Sequence, residues 1–333
     1  MSVSRSACRT MMKAIRVAQF GGPEVMKVEA NLTIPKPSEK QILIKVAAAG
    51  VNPVDTYIRA GTYAKKPALP YTPGSDVGGV VEDVGSEVTN FKKGDRVFTV
   101  RTDTGGYGEY TLSDSSLTGV LDDKLSLEQG AAIGVPYFTA YRAVIVMGKA
   151  QKGETILVHG ASGAVGLACV QIAKAHGLRV IGTAGTPEGL DLVSSIGADV
   201  VVNHRGDNYT QTITEACGGS GPNLIIEMLA NVNLEKDLQM ATQRGRVIIV
   251  GCRGTVEISP RLTMGKELTV QGVMLMGSTA EEWKQMHAGI KDGMTEGWLK
   301  PHIGHAYSLD EAAQAHNDII NTKGATGKLI LKL

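Results

Sequence analysis

The chain has 333 residues, with 34 lysines and arginines against 33 aspartates and glutamates, a formal net charge of +1. That balance excludes bulk electrostatic affinity for nucleic acid or an anionic membrane. A hydrophobic content of 43% with 20% charge excludes a disordered chain, no apolar run is long enough to span a bilayer, and the length allows two domains with a sizeable core.

In chain order, Met1 to Met11 carries Arg5, Arg9 and serines but no acid. The stretch has the flavour of a transit peptide, yet it is short and barely amphipathic. It reads as a flexible tail on a cytoplasmic protein, with mitochondrial import as the lesser alternative. The four cysteines, Cys8, Cys169, Cys217 and Cys252, are scattered, so neither a disulfide framework nor a zinc knuckle fits. Strand patterns follow at 12–20, 26–32 and 41–48, then a short helical segment opened by Asn52-Pro53 and ended by Gly61. Further short strands with regular turn signals continue to about residue 125, as expected of a small, mainly β domain. An alanine-rich helical stretch, 126–147, is expected to break at Pro136. Strands at 155–159, 179–183, 200–202, 224–227, 246–250 and 268–273 then alternate with helices near 164–176, 187–196, 209–217, 234–242 and 280–291. That alternation predicts an α/β doubly wound, six-stranded parallel sheet. Ser308 to Ile320 reads as an amphipathic helix with Ser308 as its cap and Glu311 completing the box, followed by a last strand at 328–333. The expected division is 12–134 with 299–333, and 135–298.

The most informative stretch is Thr155 to Gly166, a short apolar strand followed by Ala161, Gly163 and Gly166 in the spacing A-x-G-x-x-G and then a helix. This is the phosphate-binding opening of a βαβ unit, where Gly163 admits a pyrophosphate, Gly166 lets the helix lie against its strand, and the helix N-terminus offers free N–H groups. The second strand ends Gly182-Thr183-Ala184-Gly185. No carboxylate stands there to hold a ribose 2′-hydroxyl, so NADPH is favoured over NADH. Asp191 follows on the next helix and works against a phosphate, whereas His204 and Arg205, after the third strand, supply positive charge. Gly251, closing the fifth strand, permits close approach to the nicotinamide end.

The blocks Gly50-Val51-Asn52-Pro53-Val54-Asp55, Pro73-Gly74-Ser75-Asp76, Gly105-Gly106-Tyr107-Gly108-Glu109-Tyr110, Pro136-Tyr137-Phe138-Thr139-Ala140-Tyr141, Val158-His159-Gly160-Ala161-Ser162-Gly163 and Glu227-Met228-Leu229-Ala230-Asn231-Val232-Asn233 resemble the medium-chain dehydrogenase/reductase superfamily. Within it the chain resembles the zeta-crystallin, NADPH:quinone oxidoreductase branch over nearly its whole length after residue 12. The resemblance implies a GroES-like mainly β catalytic domain and a Rossmann NADPH-binding domain. Zinc alcohol dehydrogenases of that superfamily place a cysteine where this chain has Asn52 and a histidine where it has Ser75. Amide and hydroxyl are poor zinc ligands, so no metal is expected. A quinone, already electron-poor, needs no Lewis acid.

The resemblance further implies site residues. Tyr57 lies at the nicotinamide and substrate. Ser162, Gly163, Ala164 and Val165 cradle the pyrophosphate, and Gly185 and His204 flank the adenosine phosphate. Asn233, Val250, Gly251, Cys252, Arg253, Val273, Met274 and Leu275 line the dinucleotide. For substrate, Asn52 and Tyr57 offer hydrogen bonds to a quinone oxygen, with Asp55 and Tyr63 in the pocket. Asp55 also reads as a helix cap, and Tyr63 equally as a packing residue. The implied activity is NADPH-dependent, zinc-independent reduction of quinones, ortho-quinones favoured, with one-electron transfer reported for the branch. Reduction of enones or enoyl thioesters, or an AU-rich RNA-binding or lens-protein role, stay open as alternatives. A homotetramer is implied, and the sixth-strand edge near Leu268 to Leu275 is its natural seam.

Overall fold

The computed structural model describes residues 11–333. The expected tail therefore lies outside the described residues except for Met11, which opens the first strand. The chain forms two compact units. The first runs to Gly134 and takes in His305–Asn321 and Leu329–Leu333, and the second is Val135–Gly304 with Thr322–Lys328.

In chain order, β1 (Met11–Val17) and β2 (Met26–Thr33) form an antiparallel pair. There follow β3 (Gln41–Val51), α1 (Pro53–Arg59), β4 (Asp76–Val84), β5 (Arg96–Thr99), β6 (Tyr110–Asp114), β7 (Thr118–Val120) and α2 (Leu127–Gly130). β3 is buried on both faces, so its alternation serves two clusters: Ile42 and Ile44 pack with Val81, Phe91 and Val97, and Leu43 with Tyr110 and Leu112. α3 (Gly134–Tyr141) continues into a π-helical turn, Arg142–Met147. Pro136 does not break it as expected. It sits at the third helical position, where no intrahelical N–H is needed.

The second unit then alternates β8 (Thr155–Val158), α4 (Ala164–Ala175), β9 (Arg179–Ala184), α5 (Pro187–Ser195), β10 (Val200–Asn203), α6 (Tyr209–Ala216), β11 (Leu224–Glu227), α7 (Ala230–Met240), β12 (Arg246–Ile249), α8 (Pro260–Lys266), β13 (Thr269–Gly272) and α9 (Ala280–Glu296). The strands lie in the order β10-β9-β8-β11-β12-β13, all parallel. Leu157, Ile181, Ile225 and Val247 are fully buried at its centre, as a sheet covered by helices on both faces requires. The strand order reverses between β8 and β11, which places a ligand crevice at their carboxyl ends.

The chain ends with β14 (Ile303–Ser308), α10 (Ala312–Asn321) and β15 (Lys328–Lys332). The strand order β14-β15-β3-β4-β5-β7, with β6 beside β3, makes a seven-stranded sheet. Two expectations change here. The Ser308–Glu311 capping box is present, but it closes a 3-10 turn, Leu309–Glu311, and the α-helix starts after it. The span 299–333 does not return to the first unit as a whole. Residues 299–304 and Thr322–Lys328 stay with the second, because Gly327 N–H donates to Ser162 O (2.7 Å) and Lys328 N–H to His302 O (2.9 Å). Among the described residues no helix is long and apolar enough to cross a membrane.

Candidate active site

The turn after β8 is built by three glycines with different tasks. Gly160 has φ +57, the left-handed region that lets the chain reverse. A Cβ on Gly166 would meet Gly160 O at 2.4 Å and Ala161 Cα at 2.6 Å, so only glycine lets α4 lie this close. A Cβ on Gly163 would meet nothing nearer than 3.5 Å. Gly163 stands at the N-terminus of a twelve-residue helix whose first N–H groups lack intrahelical partners. Ser162 is buried, with Gly163, Ala164 and Val165 half-buried after it.

At the end of β9, Ala184 pairs with Asn203 of β10, and His204 N–H donates to Ala184 O (3.1 Å). This brings the next residues together over Gly185. A Cβ there would lie 2.6 Å from His204 Nε2 and 2.9 Å from Arg205 Nε. An imidazole and a guanidinium thus converge on a strand end without a carboxylate. Both were expected from the sequence as a source of positive charge after the third strand. Asp191 lies exposed on α5.

The opposite end is organised by Glu227, the last residue of β11. Its backbone carbonyl accepts from the Val250 and Gly251 amides (2.8 and 3.3 Å). Its Oε1 accepts from Leu229 N–H and from Asn233 Nδ2 (3.2 Å). Arg253 N–H donates to Asn231 Oδ1 (2.8 Å), and the exposed Cys252 thiol donates to Gly254 O (3.0 Å). Val273 N–H donates to Ile249 O (2.9 Å), Met274 is exposed and Leu275 buried. The buried Arg142 donates to Met274 O and, through Nη2, to Glu282 (3.0 Å). The structure therefore brings Val250 to Arg253 and Val273 to Leu275 to the ends of β12 and β13, and Asn233, on α7, against the end of β11. Sequence reasoning missed Arg142, a lone arginine in an apolar helical run, and the buried His159, Glu227 and Asp237, which stand within one cluster.

In the first unit, α1 begins with a capping box in which Asn52 N–H donates to Asp55 Oδ2 (2.9 Å). Asn52 is buried, and its Nδ2 donates to Asp76 Oδ2 (2.9 Å). Asp55, also buried, accepts from Tyr107 OH (3.4 Å). Tyr107 OH lies 3.0 Å from His316 Nε2, and His316 Nδ1 lies 3.3 Å from Arg59 Nη1. Tyr57 and Tyr63 are half-buried, and both flank the turn in which Tyr63 N–H donates to Tyr57 O (3.3 Å). The Asn52 amide is held by Asp76, and Ser75 O accepts from Thr99 Oγ1 (2.8 Å). Such an amide and hydroxyl donor set does not fit zinc.

A family model of the alcohol dehydrogenase GroES-like domain matches residues 38–151, and one of zinc-binding dehydrogenases matches residues 164–292. The quinone oxidoreductase of Homo sapiens is 56% identical, over 97% of this chain and 98% of its own. That of Pseudomonas aeruginosa is 31% identical over 96% and 99%. The chain belongs to the quinone oxidoreductase branch of the medium-chain dehydrogenase/reductases. Among solved structures, Escherichia coli quinone oxidoreductase complexed with NADPH superposes with a TM-score of 0.86 at 28% identity, covering 96% of this chain and 100% of that one. A mycobacterial protein complexed with NADPH gives 0.87 at 30%, covering 97% and 100%. The first unit is thus the branch's GroES-like domain and the second its Rossmann-type domain. The zinc in the second family model's description has no counterpart at Asn52 and Ser75.

Proposed function

We propose that the protein reduces quinones, ortho-quinones among them, with NADPH and without zinc. The observation that carries this reading is the convergence of His204 and Arg205 on Gly185, at a β9 end that carries no carboxylate. A 2′-phosphate meets the Arg205 guanidinium and the His204 imidazole there, and a ribose 2′-hydroxyl finds no carboxylate.

NADPH, when bound, supplies the reducing equivalents. The protein's own residues do the rest. The α4 N-terminus and Ser162 to Val165 hold the pyrophosphate, with no side chain on Gly163 in its way. Asn233, Val250 to Arg253 and Val273 to Leu275 form the wall at the nicotinamide end. Tyr57 donates a hydrogen bond to the quinone oxygen. Asn52 and Asp55 hold the start of α1 so that Tyr57 is presented in one orientation, and Tyr63 borders the substrate. We also propose that copies of the chain join through β13.

Steady-state oxidation of NADPH and of NADH by chelator-treated protein, with an ortho-quinone as acceptor, tests the reading. NADPH is expected to be preferred. Arg205→Ala should raise the KM for NADPH about tenfold to a hundredfold, the worth of a charge-assisted hydrogen bond, and leave the KM for NADH alone. Equal effects on both dinucleotides would remove the phosphate argument, and zinc-dependent activity would overturn the whole reading.

A further inference from the structure

Beneath the carboxyl edge of the parallel sheet, polar side chains form a continuous chain. His204 Nδ1 lies 3.4 Å from Thr183 Oγ1, which lies 3.4 Å from His159 Nδ1. His159 Nε2 lies 2.9 Å from Asp237 Oδ1 and 3.7 Å from Glu227 Oε2. Thr183, His159, Asp237 and Glu227 are all buried. The side chains of Glu227 and Asp237 interact with each other, yet Glu227 Oε2 and Asp237 Oδ2 have no ordinary donor.

Two carboxylates facing each other out of water cannot both stay charged without a large penalty. A single proton between them gives both oxygens a partner. The rest of the chain then takes one direction: Nε2–H of a neutral His159 donates to Asp237, and Thr183 donates to His159 Nδ1. Burial holds His159 neutral, and burial raises both carboxyls from their ordinary range. The charged or titratable groups around the pair are His159 after β8 and Lys236 on α7, with His204 reaching it only through Thr183 and His159.

We propose that Glu227 is a positioning residue for the nicotinamide-side wall, and that it holds this wall through one proton shared with Asp237, so that dinucleotide affinity falls as that proton is lost. The inference rests on the reading of the second unit as a dinucleotide site. Glu227 is suited to the role because it grips that wall twice, by its carbonyl at Val250 and Gly251 and by Oε1 at Leu229 and Asn233. Loss of the proton puts a second charge beside Asp237 and drives the two side chains apart.

The test is the Kd of NADH and of NADPH, read from nicotinamide fluorescence across roughly pH 6 to 9, the range over which such a pair titrates. NADH matters because it lacks the 2′-phosphate that His204 would titrate against. Wild-type affinity for both dinucleotides should fall with rising pH, by at most about tenfold per unit for one proton. In Glu227→Gln the amide donates to Asp237 at every pH and still accepts from Leu229. This variant should keep the low-pH affinity and lose the slope. Asp237→Asn, whose amide can donate to Glu227, should do the same and serves if the first variant fails to fold. A flat wild-type profile, or variants that follow the wild-type slope, would overturn the proposal while leaving the site intact. Failure of the wild type to bind either dinucleotide at any pH would overturn the site reading and this role together. A stoichiometric divalent cation retained by the purified protein would take the proton's place and overturn the assignment.

Discussion

A guanidinium can only donate, and that fact fixes the state of His316. Arg59 Nη1 donates to Nδ1, so Nδ1 is the acceptor, the imidazole is neutral and its proton sits on Nε2, facing Tyr107 OH. Tyr107 in turn donates to Asp55, and the series ties α10 to the capped start of α1. Burial, with the charge of Arg59, lowers the His316 pKa to about 3. An unfolded chain protonates its histidines near pH 6.5. Between these values the unfolded state therefore binds the extra proton, and stability present above about pH 6.5 is lost as pH falls toward 3. The slope is at most about 1.4 kcal/mol per pH unit. His316→Gln keeps an acceptor for Arg59 and a donor for Tyr107 but cannot titrate. Urea unfolding at stepped pH values should show a shallower acid loss in this variant than in the wild type. Matching slopes would mean that His316 is not the group responsible.

At the level of elements, the glycine turn separates packing from binding. Gly166→Ala drives a methyl into the backbone of Gly160 and Ala161, which cannot yield, and should cost about 1–3 kcal/mol of stability. Gly163→Ala meets only ordinary contacts. It should leave the urea midpoint near wild type while dinucleotide affinity drops, because the methyl occupies the space that the pyrophosphate needs. If Gly163→Ala unfolds early or binds normally, the cradle has been misplaced. Both glycine roles were legible in the sequence because the strand, turn and helix are contiguous. The central parallel strands were legible for a related reason: buried on both faces, they are nearly unbroken apolar runs, such as Leu224-Ile225-Ile226 in β11. The hydrogen bond from Arg142, at the start of the π-helical turn, to Met274 O was not, since its partners lie 132 residues apart. The same holds for the polar chain from His204 to Glu227, whose members come from four strand ends and α7 and share no sequence period. Asp55 was legible only in part. Its spacing from Asn52 marked it as a cap, but nothing local pointed to Tyr107 or, beyond it, His316.

For the whole molecule, the open question is what covers β13. It is the outer strand of the parallel sheet, and Thr269 to Gly272 are all exposed. Around it Met264 is 76% exposed and Met274 55%, with Val270 and Met276 also exposed. An uncovered edge with apolar neighbours invites pairing with another chain. The direction of its backbone groups sharpens the case. Thr269 N–H and Val273 N–H point inward, to Gly245 O and Ile249 O. Because bonding in a parallel ladder alternates, the N–H groups of Val270 and Gly272 point outward. A two-fold axis beside β13 would pair these groups with their copies and continue the sheet across both chains. Val270→Pro deletes one outward donor and no bond to β12, so it should weaken assembly without unfolding the sheet. Sedimentation velocity at micromolar concentration is expected to show a smaller species for this variant, with unchanged circular dichroism and unchanged dinucleotide binding. An unaltered sedimentation coefficient would mean that the copies join elsewhere, and that the methionines around β13 serve another contact.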